Sequence, residues 1–481
     1  MIMKGLFPLQ QHQSPQQQTH SPRLRGKIAQ LCRWEPEFTR LFFRLVIPIA
    51  LQNLVGASLH IVDNIMVSGL GEVSAAGVAQ ANRVTFIVQL FQFGVTSGAG
   101  IFASQYWGKR DVGGMRRVQG LALRLNAGIG LLAFALVQCW PQGVLSIFLP
   151  AGESFDAGLQ YLLIVSPAYL ITAIDSVFQM MLRSSERARV PMTASTIAII
   201  TNTVLNYGLI YGRLGLPAMG VRGVAMSTVF ATALSLSINV AVSYRKKLAP
   251  AARLQDLRLP DRTFLARFFR TISPVVFNEG LWAMGFATYS VVYGRMGDGM
   301  VAAMAIVGTV DQLVFVLGWG IMHASSVIVG RSIGAAREEE AYLYAKRMLA
   351  VAVTMMAGMG VILLNARGPI VSLFRYGDET LAMAEQLLLI SSFFLAIRAF
   401  NAVNIVGVLR SGGDTVFSMT LDLGVLWLIG VPLALLGGLA LQWTLPAVYL
   451  INQGEECLKV LIGLPRFISK KWIRNLVKND D

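Results

Sequence analysis

Long apolar runs separated by short polar connections dominate this chain. We read the runs near 45–68, 77–104, 124–140, 158–182, 190–211, 223–243, 272–294, 301–330, 348–366, 380–409, 416–436 and 444–464 as spans 1 to 12. A helix needs about 20 apolar residues to cross a bilayer, and the runs are close to that length. Pro48, Pro167, Pro191, Pro274 and Pro432 fall inside or at the ends of runs. Membrane helices tolerate such prolines where neighbouring helices satisfy the freed backbone groups. The pattern predicts an all-α membrane protein with twelve transmembrane helices.

Composition agrees with that pattern. The 481 residues are 54% hydrophobic and only 14% charged, against about 25% charged in soluble domains. This excludes a cytosolic enzyme, a disordered chain and a secreted disulfide scaffold. Cys32, Cys139 and Cys457 are far apart and odd in number, with no paired metal-ligand spacing. The Gln/Pro/Ser-rich segment 1–44 reads as a flexible tail, its apolar start being too short for a signal-peptide core.

The net charge of +15 would suggest a nucleic-acid partner in a soluble protein. Its distribution says otherwise. Of 41 Lys and Arg, 33 lie in the termini and even-numbered connections and 5 in the odd-numbered ones. The other three, Arg83, Arg398 and Lys459, fall inside or at the ends of spans. This is the positive-inside asymmetry. It places both termini in the cytoplasm, and the basic residues become anchors at anionic lipid, with no nucleic-acid role.

The two halves repeat. Pro48 meets Pro274, Gly71 meets Gly297, Gly108 meets Gly334, and "LSIF" at 145 meets "VSLF" at 371, all at a shift of 226 residues. "LRSSERARVPM" meets "LRSGGDTVFSM" one residue further on. We therefore expect an N-lobe over 45–244 (spans 1–6), a basic cytoplasmic linker over 245–271, a C-lobe over 272–464 (spans 7–12) and a cytoplasmic tail over 465–481. Six spans per half is an even number, so both halves start on the same side as parallel repeats. Transporters built this way hold substrate between the halves and rock one against the other. Channels and rigid scaffolds are also built from duplicated halves.

Ionisable groups inside spans are expensive, about 2.5–3.5 kcal/mol on insertion scales, and persist where something offsets that cost. Asp63 lies ~27 Å up span 1 at helical rise. Asn202 and Asn206 share a face of span 5, Asn206 at ~24 Å, and Thr228 lies near the matching end of span 6. This all-oxygen set suits a hard monovalent cation or a protonatable carboxylate. The simpler alternative has Asp63 capping its helix or pairing with His60. In the second half, Glu279 and Asn278 on span 7, Asp311 on span 8, and Arg398, Asn401 and Asn404 on span 10 form a second polar group. There Arg398 could instead neutralise Asp311, and Glu279 could serve the helix dipole. Asp175 and Asp422 are expected to pair with Arg183 and Arg410-type neighbours at the inner surface. The numerous Met and Phe residues are expected mostly at helix contacts, some of them lining a cavity for an amphipathic solute. No GxxxxGK[ST], HExxH or GxSxG stands in the connections, so no enzyme activity is expected.

Together "IVDNIMVSGLGEVSAAGVA", "GKRD", "NTVLNYGLIYGRLGLPAMGVRGVAMST" and "LRSGGDT" resemble the multidrug and toxic compound extrusion (MATE) transporters over about residues 40–465. The resemblance implies antiport, with efflux of a drug or a natural-product precursor driven by inward Na⁺ or H⁺, K⁺ being a further option. It implies a bacterial inner-membrane protein, monomeric in the bilayer and without a bound cofactor. Asp63 matches the family's first-span Asp. Asn202 and Asn206 match an Asn and an acidic residue four later, with Asn206 departing from the acidic type. Thr228 is a looser match. The NorM-like subgroup carries a span-7 Glu and a span-10 Asp. Glu279 resembles the first about one turn early, and Ala399 stands near the second, so such a site would recruit Asp311 or Asn401. Asn278, Arg398 and Asn401 are the expected substrate contacts. The alternative reading is a lipid-linked precursor flippase of the related superfamily. That would need a more cationic cavity than Arg83 and Arg398 offer.

Overall fold

The computed structural model describes residues 34–253, 255–256 and 260–478, apart from the side chains at 59–61 and 298. The tail expected over 1–44 lies outside the described residues up to 33. Among the described residues there is no strand.

Twelve helical rods correspond to the twelve spans. In the N-lobe α1 is Pro36–Ser68, α2 Glu72–Lys109, α3 Val112–Cys139, α4 Glu153–Val165 plus Pro167–Ser184, α5 Arg189–Tyr211 and α6 Val221–Arg245. In the C-lobe α7 is Arg262–Met296, α8 Asp298–Val314 plus Val316–Gly334, and α9 Glu338–Val371. Then α10 is Asp378–Asn401 continuing in π geometry over Ala402–Arg410, α11 runs from Thr415 to Ala440 with two π turns, and α12 is Leu445–Ile468. Seven rods are unbroken and apolar enough to cross a membrane, and two bent pairs bring the number to nine. The remaining three, α5, α7 and α12, are long enough but carry the Asn, Glu and Lys side chains of the polar sites. The two bends are 48° in α4 and 47° in α8, helices that are not counterparts under the repeat, which pairs α4 with α10 and α2 with α8. In α4 the break falls at Pro167, whose ring removes a helical hydrogen bond.

The duplication extends to the backbone. Gly71 (φ 95°) and Gly297 (φ 142°) turn the chain from α1 into α2 and from α7 into α8. A β-carbon disfavours such angles, which is why glycine recurs at this landmark. Arg110 and Ala336, again 226 apart, both close their helices with positive φ.

Several helices extend beyond their apolar runs at the end carrying the basic connections. Thus α1 starts at Pro36 and α7 at Arg262, nine or ten residues before the predicted spans. These extensions join the lobes. Phe38, Leu41, Phe42 and Leu45 of α1 lie in the core of the C-lobe. Phe264, Phe268 and Ile272 of α7 lie with Phe102 and Tyr106 of α2. The backbones of α2 and α8 touch through Gly108 and Gly334. An added β-carbon on Gly108 would overlap the Arg331 carbonyl, and one on Gly334 would overlap the Gln105 carbonyl. Small residues allow this approach, and close packing drives helix association in lipid. From Phe91 to Lys109, α2 faces the C-lobe, whereas its first half stays within the N-lobe, with Gly77 against Gly158. The seam between the lobes is therefore built in the half of the molecule nearest the basic end.

The segment after α12 crosses that seam. Trp472 is fully buried and stacks on Phe467. Arg474 pairs with Asp414 at 2.9 Å. Gln105 of α2 accepts from the Leu476 amide at 2.8 Å and donates to the Arg474 and Ser411 carbonyls at 3.2 Å. Val477 is buried in the cluster that α2 and α3 form with the start of α7, and its carbonyl accepts from Lys109 at 3.3 Å. The sequence expectation of a cytoplasmic tail over 465–481 meets an ordered strap at 470–478. The buried Trp472 and Val477 give the physical reason, since their apolar surface is removed from water by docking.

Candidate functional site

In the N-lobe, α1 and α5 run side by side and bring Asp63 against Asn206. The Asn206 amide donates to Asp63 at 2.7 Å and to the Asn202 oxygen at 3.1 Å. The one-turn spacing of Asn202 and Asn206 allows the second bond. Asn206 is fully buried and its own Oδ1 has no donor. Asp63 is half-buried, and among the described residues no Lys or Arg pairs with it. The alternative pairing with His60 lies outside the described residues. Thr228 does not bond Asp63. Its hydroxyl donates to the Val224 carbonyl at 3.0 Å within α6 and lies beside the Tyr161 hydroxyl.

Tyr161 and Asn82 are side chains that sequence reasoning missed. The Tyr161 hydroxyl donates to Asn82 at 3.0 Å, and it sits within electrostatic reach of Asp63. Asn82 lies ~15 Å into α2 and Asp63 ~8 Å from the end of α1 at helical rise, so depth along the helices did not pair them, and the only signal was an amide within an apolar run.

Asp175 forms a separate centre in the same lobe. Gln179, Ser235 and Asn239 each donate to it at 2.8 Å. The expected direct pair with Arg183 is replaced by these neutral donors, with Arg183 acting through space. Three good donors satisfy a carboxylate without a counterion in contact.

The C-lobe residues divide into three groups. Asp311 is held by Arg398 at 2.7 Å and Ser391 at 2.6 Å, with Arg398 over the Phe315 ring. Glu279 is held by Arg410 at 2.8 Å, and Arg410 also donates to Ser97 of the N-lobe at 3.2 Å. Asp422 pairs with Lys459 at 3.1 Å and accepts from Asn278 at 3.1 Å. Asn401 donates to Glu456 at 2.7 Å. Glu279, Asp311 and Asn401 are thus not gathered into one site. Each already has a strong partner on a neighbouring helix. Asn404 is fully buried, with neither amide atom bonded.

Two expectations are corrected here. Asp422 was expected to pair with an Arg410-type neighbour, but Arg410 turns to Glu279 and Lys459 takes Asp422. Arg83 and Arg398 were expected to be the chief intramembrane cations, yet Arg410 and Lys459 are the deeply buried ones, at 2% and 3% exposed. The π geometry over Ala402–Arg410 keeps Arg410 inside a helix the sequence appeared to end. Such π turns recur at functional sites.

Two repeated six-helix lobes with carboxylates within the spans define a multi-pass membrane protein, and the family match that follows makes it a transporter rather than an enzyme. The pattern of the MatE family matches residues 48–208 and 274–436, one stretch in each lobe, and the chain belongs to that family. It is 23% identical over 433 residues to "Uncharacterized transporter YisQ" of Bacillus subtilis, covering 90% of this chain and 94% of that one. It is 26% identical over 454 residues to "Probable multidrug resistance protein NorM" of Pseudomonas aeruginosa, covering 91% of each. Among solved structures it matches one described as the outward-facing conformation of a multidrug resistance MATE family transporter of the MOP superfamily. The TM-score is 0.82 at 20% identity, over 92% of this chain and 98% of that one. That likeness shows the twelve-helix, two-lobe fold.

Proposed function

We propose that this chain is a cation-coupled antiporter that exports an organic or amphipathic solute by alternating access, with Asp63 as the coupling group of the N-lobe. The observation that carries the reading is Asp63 itself. It is a carboxylate within a span, bonded to a neutral amide and lacking a basic partner among the described residues. A charge so placed is stabilised by a captured cation or proton. Asp63, Asn202 and Asn206 offer oxygen atoms to Na⁺, K⁺ or H⁺, and the undonated Oδ1 of Asn206 is a ready acceptor. Thr228 and Tyr161 border this set.

The positive-inside asymmetry supports a cytoplasmic placement of the basic end in a bacterial inner membrane. On that orientation the seam closes the cytoplasmic side, and the space between the lobes opens outward. Cation binding at Asp63 and solute binding between the lobes then bias one rocking equilibrium without sharing a contact. Relatives named for multidrug resistance support an organic substrate. The flippase reading needs a cationic cavity, but Arg398, Arg410 and Lys459 each sit on a carboxylate.

The test is transport in proteoliposomes with Na⁺, K⁺ and pH gradients imposed separately. Wild type is expected to move substrate uphill with one of these gradients. Asp63→Asn is expected to lose gradient-driven transport while still folding, and Glu279→Gln to report on the C-lobe. Normal uphill efflux by Asp63→Asn would refute the coupling role.

A further inference from the structure

The repeat implies a side-chain contact that the N-lobe lacks. In the C-lobe, Asn278 of α7 donates to Asp422 of α11 at 3.1 Å, and the next residue, Glu279, holds Arg410 of α10 at 2.8 Å. The N-lobe keeps the first contact. Gln52 of α1, 226 residues before Asn278, donates at 2.9 Å to Ser195 of α5, 227 residues before Asp422. Gln52 also donates to Gln179 of α4 at 2.9 Å, so side chains of α1 and α4 meet at this level. The second contact has lost its acid. Asn53 stands where Glu279 does, and Arg183 where Arg410 does.

The two groups that remain are donors without an acceptor. The Nδ2 of Asn53 is buried and unbonded. Arg183, half-buried in the last turn of α4, makes no hydrogen bond or contact ion pair among the described residues. Asp175 acts on it only through space, because the Asp175 oxygens already accept from Gln179, Ser235 and Asn239. Across the seam Arg183 faces His323, whose other charged neighbour, Arg410, is held by Glu279. A guanidinium within a span is costly unless something offsets it. The guanidinium and the Nδ2 group only donate, so this place repels a metal cation and takes an acceptor. The sister lobe shows the kind of acceptor, a carboxylate, whose two oxygens match the guanidinium fork. Asn53 lies ten residues before Asp63 on α1, ~15 Å at helical rise, so the place is separate from the cation set.

We propose that Arg183 and Asn53 form a binding site for the carboxylate or phosphate group of an organic anion, in the position that Glu279 fills in the C-lobe. As a station on the export route the site rests on the antiport reading, and it narrows the solute to one carrying an anionic group. The binding itself does not rest on that reading.

The test is fluorine NMR of the full chain in phosphatidylcholine nanodiscs at fixed ionic strength. The probes are para-trifluoromethyl benzoate, para-trifluoromethyl phenyl phosphate and the uncharged para-trifluoromethyl benzamide. Wild type is expected to bind at least one of the two anions tenfold or more tightly than the amide. Arg183→Gln removes the charge, and Asn53→Glu supplies the missing acid from within the chain. Each is expected to weaken anion binding at least tenfold and to leave the amide unchanged. A wild type that prefers neither anion to the amide overturns the proposal. So does equal anion affinity in wild type and Asn53→Glu, which decides the matter even if Arg183→Gln fails to fold. Discs containing phosphatidylglycerol separate the sources of the anion. A lipid head group as occupant abolishes probe binding there at saturating probe, and a free solute leaves it in place; both results support the site. Failure of the antiport reading would appear in the proteoliposome fluxes and leave this binding intact.

Discussion

At the residue scale, buried charges are held by their partners. Glu279 and Arg410 meet at 2.8 Å with little exposure on either side. Removing one member of such a pair leaves a bare charge and costs about 3–5 kcal/mol, whereas replacing both with apolar groups is often close to neutral. Arg410→Met is therefore expected to lower unfolding stability by about 3–5 kcal/mol. Glu279→Met added to it should restore most of that loss. Denaturation in detergent micelles checks both, and an equal loss in single and double variants would contradict the pairing. Half of this pair was legible. Glu279 stands out in an apolar run, but Arg410 follows span 10 and reads as one more basic anchor. Sequence gives a residue's depth along a helix. Which neighbour it faces depends on how the helices are rotated against one another.

At the scale of elements, the decisive features are close backbone approaches. Gly108 and Gly334 let α2 and α8 touch, each offering its bare backbone to a carbonyl of the other lobe. A larger side chain there cannot be absorbed by a rotamer change, because the obstruction is backbone. Gly334→Val is expected to force the lobes apart at the basic end. Ser104, fully buried beside Gly330, is the reporter. In a chain with its native cysteines replaced by serine, Ser104→Cys should label several-fold faster once Gly334→Val is added. Unchanged labelling would show that the seam yields elsewhere. The duplication made both glycines visible as landmarks, and the positive φ of Gly71 and Gly297 explains two more. That Gly108 and Gly334 face each other across the lobes was not visible. Equal spacing in the chain does not say that repeated positions meet.

At the scale of the whole molecule, closure at the basic end is shared among α1, α2, α7, α8 and the strap. Residues 470–478 bond to both lobes, their backbone to Gln105 and Lys109 on one side and to Gly412 on the other, where the Asn475 amide also donates to the Ile333 carbonyl. Deleting 470–478 is expected to shift the population toward a wider seam. Spin labels at positions 110 and 336, both exposed at helix ends flanking the seam, measure it by electron–electron double resonance. Longer and broader distances are expected after deletion, and an unaltered distribution would reduce the strap to a passive tail. Its sequence is short, basic and mixed in polarity, like any cytoplasmic end. The buried places of Trp472 and Val477 exist only once the lobes have assembled.

The chain by itself determined the spans, the charge asymmetry, the duplication and the grouping of Asp63, Asn202 and Asn206. Those follow from one-dimensional quantities, namely apolar length against bilayer thickness and residue count against helical rise. Only the tertiary structure decided which acid meets which base, that Tyr161 and Asn82 border the first site, and where the lobes close. These depend on helix rotation, bends and π turns, which many weak packing contacts set together and no local stretch of sequence encodes.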